Sequence, residues 1–190
     1  MKLLGTLLDR AVAVLPARLH GGVVVFGSAP MVFAGLKPDV TFDLDLFVSE
    51  DTYRALLDGG FTEDHDERGV PRIMVAESVE VVSTWPGVTF DEAYASSSPR
   101  AGSRGLRVAA LEHVLMFKTI SPRDKDQREA EVIRKALKEV GLCTDCAHSR
   151  RIESAKGSVF RRCQLHESEA RFAKYPRLPV VRCEGYARGS

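Results

Sequence analysis

The chain has 190 residues, 44% of them hydrophobic and 28% charged, an ordinary globular balance with enough apolar residues for a core. No segment approaches the eighteen or so uninterrupted apolar residues of a membrane span, and there is no internal repeat or low-complexity tract. The net charge of +1 points to no partner class by itself, but its distribution is uneven. Residues 1–140 carry 17 Lys/Arg against 21 Asp/Glu, a balance of −4, whereas residues 141–190 carry 10 against 5, a balance of +5. All four cysteines lie in the second stretch. We place a boundary there, giving a domain over 1–140 and a small module over 141–190. The opening "MKLLGTLLDRAVAVLP" carries Asp9 and Arg10 inside its apolar run, so it does not read as a signal peptide, and a cytoplasmic location is expected.

Residues 3–19 repeat apolar side chains at helical spacing, through Leu4, Leu7, Leu8, Ala11, Val14 and Leu15, and predict a helix. "GGVVVFGS" (21–28) reads as a short buried strand, after which Ser28 is placed to cap a short helix with Pro30 in its first turn. "VTFDLDLFV" (40–48) is the second strand. "EDTYRALLDGG" predicts a helix stopped by its two glycines. "PRIMVA" and "SVEVVST" read as a hairpin turning at Glu77–Ser78. Residues 85–105 look loop-rich, "VAALEHVLMFKTI" helical, and Asp124–Val140 a second helix with Ala130, Ile133, Leu137 and Val140 on one face and Gly141 as its stop.

The strand "FDLDLF" poses a problem. Side chains alternate on a strand, so Phe42, Leu44 and Leu46 share one face while Asp43 and Asp45 share the other, with Cα atoms about 6.6 Å apart. Two carboxylates so close beside a core repel each other and lose hydration; they need a cation between them or a shift to the protonated form. Oxygen-only ligation of this kind suits Mg²⁺ bound together with substrate phosphates. The plainer alternative is an outward-facing strand with solvated aspartates. Upstream, Gly27 and Ser28 end a strand and open a helix, a place where backbone N–H groups can meet a phosphate. Glu80, between Val79 and Val81, can bring a third acid to the same sheet face, to hold metal or to deprotonate an attacking hydroxyl.

The ordered set "VVVFGSAPMVFAGLKPDVTFDLDLFV" resembles the core of the nucleotidyltransferase superfamily, and is most similar to its minimal bacterial branch of antitoxin and abortive-infection type. The later "FKTISPRDKDQREAEVI" resembles that branch's lysine- and aspartate-bearing segment through Lys118, Lys125 and Asp126. The resemblance covers about residues 20–140. It implies an α/β (α+β) fold with a mixed, twisted sheet and flanking helices, and Mg²⁺-dependent transfer of a nucleoside monophosphate from an NTP to an RNA, protein or small-molecule acceptor. Gly27 and Ser28 would hold the triphosphate and Asp43 and Asp45 would ligate Mg²⁺. Glu80 would be the third acid, Lys118 or Lys125 would neutralise phosphate charge, and Asp126 would position a lysine or assist the acceptor.

In the basic module, Cys143-x₂-Cys146 can grip one metal ion, with Cys163 following after sixteen residues and Cys183 after nineteen more. Clustered cysteines in a cytoplasmic chain favour metal over disulfides, and four thiolates suit Zn²⁺ or an iron–sulfur cluster. His166 is an alternative fourth ligand to Cys183, and His148 another. The stretch 143–189 also resembles small bacterial four-cysteine proteins, which supports Cys183 as the ligand and implies no activity. Arg171, Lys174 and Arg177, interleaved with Phe160, Phe172 and Tyr175, make either an RNA-facing surface or a solvated basic face whose aromatics pack around the metal. Two functions follow: a nucleotidyltransferase whose module recruits the acceptor, or a catalytically inactive interaction protein of toxin–antitoxin type. The sequence leaves the nucleotide, the acceptor and the oligomeric state open.

Overall fold

Helix α1 (Lys2–Val14) buries Leu4, Leu7, Leu8 and Ala11, the face its spacing predicts. It ends before residue 19 because Pro16 has no N–H to continue it, and Ala17–Gly22 turns as a 3-10 helix instead. The computed structural model describes residues 2–66 and 69–188.

The apolar run of residues 23–25 is strand β1 (Val23–Val25), followed by the five-residue helix α2 (Ala29–Phe33). Strand β2 (Leu44–Val48) returns antiparallel to β1, with Val24 opposite Phe47 and Val25 opposite Leu46. The expected strand from Val40 is thus four residues too long, and Phe42 is 76% exposed rather than packed with Leu44. The reason lies in Asp39, whose carboxylate accepts hydrogen bonds from the backbone N–H groups of Leu3 and Leu4, each at 2.9 Å. These are orphan donors at the start of α1, so the segment before β2 is drawn aside to cap another helix.

Helix α3 (Glu50–Asp58) starts at Ser49, whose hydroxyl accepts from Thr52 N–H. Strands β3 (Glu63–His65), β4 (Pro71–Ala76) and β5 (Val79–Val82) form an antiparallel meander, and Ser78 at φ 59° makes the tight β4–β5 turn. The stretch that looked loop-rich contains helix α4 (Phe90–Ser96), started by a reciprocal capping box between Thr89 and Glu92. Short strands β6 (Ser98–Pro99) and β7 (Arg107–Val108) lead to helices α5 (Leu111–Ile120) and α6 (Asp124–Val140).

Seven strands form one mixed sheet in the order β3-β4-β5-β2-β1-β7-β6. The β2–β5 and β1–β7 pairs are parallel and the others antiparallel. Apolar side chains leave both faces. Val23, Val25, Leu44, Leu46, Val79 and Val81 pack with α1 and α3 on one side. Val24, Phe26, Phe47 and Val82 pack with Val114, Phe117 and Ile133 of α5 and α6 on the other. The second face is the one to which Asp45 and Glu80 belong by alternation.

Beyond α6, a separate two-stranded sheet pairs β8 (Ser149–Glu153) with β9 (Val159–Cys163). Gly141 ends α6 at φ 67°, and a Cβ there would stand 2.3 Å from the Val180 carbonyl oxygen. That close approach lets Val180 N–H reach Val140 O and Leu142 N–H reach Val180 O, so the chain end is tied back to the end of α6.

Candidate functional site

The parallel register of β2 and β5 sets Asp45 directly opposite Glu80. Asp43, two residues earlier and just before the strand begins, shares their face. One carboxylate oxygen from each of Asp43, Asp45 and Glu80 lies within 4.8 Å of the other two. Asp43 is exposed and the others half-buried, so the trio opens from the cleft floor toward solvent. The cleft has a volume of about 480 Å³. Gly27, Ser28, Trp85 and Phe117 wall it, and Arg72, Lys118, Arg123 and Lys125 bring cationic groups to it.

Asp45 is held well above the ordinary carboxylate range, first by desolvation, then by repulsion from Asp43 and Glu80 and a hydrogen bond shared with Glu80, with Lys118 acting the other way. The sheet therefore crowds carboxyl groups at a point where burial and mutual repulsion disfavour their charged forms unless a cation joins them. Three hard oxygen donors so placed fit a divalent cation of the Mg²⁺ class. Gly27 has a defined part in this. It sits at φ 60°, and a Cβ there would come 1.7 Å from Asp45 Oδ2. The glycine that the sequence assigns to a phosphate first makes room for a carboxylate.

Lys118 is 1% exposed and reaches the cleft from α5. Its ammonium pairs with Asp126 at 2.9 Å and Glu129 at 2.6 Å, both on α6, and donates to Ser28 Oγ at 3.3 Å. Asp126 is fully buried; its carboxylate also accepts from the Ser121 hydroxyl and from Arg123 Nε, each at 2.6 Å. Burial raises the Asp126 carboxyl, but these donors bring it down to about 2. Glu129 is likewise brought to about 2, against burial, by Lys118, Lys37 and Ser28. Ser28 occupies the N-cap position of α2, but its side chain does not cap the helix; the hydroxyl donates to Glu129 Oε2 at 2.9 Å.

The structure thus brings Gly27, Ser28, Asp43, Asp45, Glu80, Lys118 and Lys125 to one cleft, and sets Asp126 behind it as the partner of Lys118. Sequence reasoning missed Glu129, Lys37, Arg72 and Arg123. Glu129 was findable, since it lies three residues after Asp126 on the same helix face. Arg72 was findable too. Met74 pairs with Glu80 across the hairpin, so Arg72 is a diagonal neighbour on the same face, and its guanidinium donates to Glu80 Oε2 at 3.0 Å.

Cys143, Cys146, Cys163 and Cys183 line one small cavity of about 60 Å³ with Phe172 and Tyr186, and all are free thiols. Burial, then the three neighbouring cysteines, push the Cys143 thiol up to about 11. Among the described residues no three of these sulfurs lie within 4.8 Å of one another, wider than the edge of about 3.8 Å that 2.3 Å Zn–S bonds imply. His166 Nδ1 is engaged with the Phe172 carbonyl at 2.9 Å. Of the three aromatics interleaved with the basic residues, Phe172 lines the cysteine cavity, while Phe160 and Tyr175 are exposed and meet edge to face.

With the fold and both side-chain clusters in view, no family model matches the chain, and no curated protein or solved structure matches it either.

Proposed function

We propose that the cleft transfers a nucleoside monophosphate from an NTP to a hydroxyl-bearing acceptor, releasing pyrophosphate, within a nucleotidyltransferase-like domain. The carrying observation is the convergence of Asp43, Asp45 and Glu80 within 4.8 Å beside a glycine that a Cβ would block. Bound by these carboxylates, Mg²⁺ would supply Lewis-acid polarisation of the phosphoryl oxygens. The chain's own groups do the rest. Lys118, held in place by Asp126 and Glu129, points fixed positive charge at the cleft, and Arg123 and Lys125 add charge at its edge, where the leaving pyrophosphate needs it. Arg72 fixes the Glu80 carboxylate, which suits a ligand or orienting group better than a mobile base. An antiparallel β1–β2 pair with Gly-Ser after β1 and Asp-x-Asp entering β2 supports the same reading. The acceptor is an RNA, a protein or a small molecule. With this reading goes a Zn²⁺ ion or iron–sulfur cluster at the four cysteines, supported by their lining one cavity, with the sulfurs drawing closer together to hold it.

One observation favours a second reading, a non-catalytic interaction protein. Ser28 and Glu80, two groups assigned to nucleotide and metal, are already engaged by Glu129 and Arg72. Incubation of the full chain with each labelled NTP and Mg²⁺ separates the two. Label transfer that falls at least about 100-fold in Asp45→Asn supports the enzyme. Transfer that is absent with every NTP, or equal in Asp45→Asn, overturns it.

A further inference from the structure

A second cavity, of about 180 Å³, lies between the C-terminal end of α2 and the β8–β9 hairpin. Arg100, Arg150, Arg151 and Arg161 line it, and among the described residues no Asp or Glu does. Arg151 and Arg161 stand directly opposite each other across the hairpin, an arrangement that costs stability when both are cationic. Arg161 is 8% exposed, and its hydrogen bond to the Ala34 carbonyl is long, at 3.5 Å. Arg100 has its Nε buried with no hydrogen-bond partner. Compensation from the chain itself is partial. Glu153 pairs with Arg151 on the exposed side, Arg150 reaches the Ala147 and Ser149 carbonyls, and the nearby Asp145, which accepts from Tyr186 and pairs with Arg188 at 3.4 Å, also offsets the charge of Arg100.

Buried guanidiniums with incomplete counter-charge are costly, and a fold keeps them where an anion completes the set. Several planar forks around one cavity match a tetrahedral dianion, which offers oxygens in several directions. The volume falls below that of a drug-sized pocket, so the cavity takes a phosphate group with a small substituent rather than a nucleotide or a nucleic-acid strand. We infer that this arginine-lined cavity binds the phosphate group of a small phosphorylated ligand, at a site separate from the acid cleft.

The test is titration of the metal-replete 190-residue chain with inorganic phosphate at constant ionic strength, read by calorimetry. Saturable binding of one phosphate is expected. Arg100→Gln and Arg150→Gln should each weaken it about tenfold or more, the loss of one charge-assisted hydrogen bond. Arg150 is exposed, so its variant carries little folding risk. Asp45→Asn should leave phosphate binding unchanged. Absence of saturable binding, as would follow if metal-bound thiolates at Cys143 and Cys146 already neutralise the arginines, overturns the inference. So does binding that survives both arginine substitutions or disappears in Asp45→Asn. Displacement of phosphate by a single-stranded RNA oligomer at equal concentration would reassign the site to nucleic acid.

Discussion

In the acid cleft, sheet register sets the charges: Asp45 and Glu80 face each other because β2 and β5 pair in parallel, and Lys118 meets two carboxylates from the neighbouring helix. In residues 141–188, a two-stranded hairpin, short turns and a few long-range contacts set them, and the hydrogen bond from Val180 N–H to Val140 O and the contacts of Arg188 hold the region to the rest. The first region is a surplus of acid fixed on a buried frame. The second is a surplus of arginine and thiol on a thin one. A frame with a core can carry unbalanced charge from its own folding energy, whereas a region with little core leans on what binds it.

The largest expected effect tests that contrast at the cysteines. Structural zinc sites contribute apparent free energies of about 10–16 kcal/mol in small domains, far more than this hairpin can replace by packing. Replacing Cys143 and Cys183 by Ser in the full chain should expose residues 141–188 to trypsin while the seven-stranded sheet stays protected. Metal analysis of both proteins accompanies the digestion. Equal protection in the variant, with no metal bound, would mean that the second region stands on its own contacts.

Next comes Lys118, at the most matched point of the first region. Lys118→Met removes the cation that Asp126 and Glu129 share and leaves buried carboxylates undercompensated. A cost of about 3–5 kcal/mol in urea unfolding is expected. Adding Asp126→Asn to that variant should recover part of the loss, because the two sites are coupled. A cost below about 1 kcal/mol would show that Arg123, Lys37 and the hydroxyls suffice without the lysine.

Acid titration probes the same pair from the other side. Asp126 and Glu129 have folded-state values of about 2, below their ordinary 3.8 and 4.5. Lowered carboxylates contribute stability that is complete above their unfolded values and is lost as pH falls through the folded ones. Asp126 should therefore contribute about 2 kcal/mol and Glu129 about 3 kcal/mol at pH 6, declining from about pH 5 and gone by about pH 1. Asp126→Asn should flatten that decline in the full chain. An unchanged acid limb would break the assignment.

The two regions also differed in how far they could be read from the sequence. Period-two alternation put Asp43 and Asp45 on one face and Glu80 on a neighbouring strand, and local spacing found α6 and its Gly141 stop. Most of what failed was long-range. Nothing near Val40 announces that Asp39 caps α1, so the length of β2 was misjudged. Nothing near Gly27 announces Asp45 as the neighbour that excludes a Cβ. Helix α4 was missed although "TFDE" spells out its capping box, because the Ser, Gly and Pro residues around it dominated the reading. The arginine cavity joins a loop, a helix end and a hairpin, and no spacing within the chain brings those together.

The smallest effect bears on whether the two regions are energetically joined. Thr89 Oγ1 accepts from Glu92 N–H at 3.3 Å, and the Glu92 carboxylate accepts from Thr89 N–H at 3.0 Å. Loss of such a cap costs about 1 kcal/mol. At its far end, α4 offers the Ser96 carbonyl to Arg188 Nη1 at 3.2 Å, so the cap and the arginine act on opposite ends of one helix. Thr89→Ala should lower stability by about 1 kcal/mol, and Arg188→Ala should raise the trypsin sensitivity of residues 141–188. In the double variant the stability losses should add to within about 0.5 kcal/mol, since the substituted side chains share no partner. A larger coupling would mean that fraying of α4 is felt by the C-terminal region, and that the thin frame is steadied by the thick one through this helix.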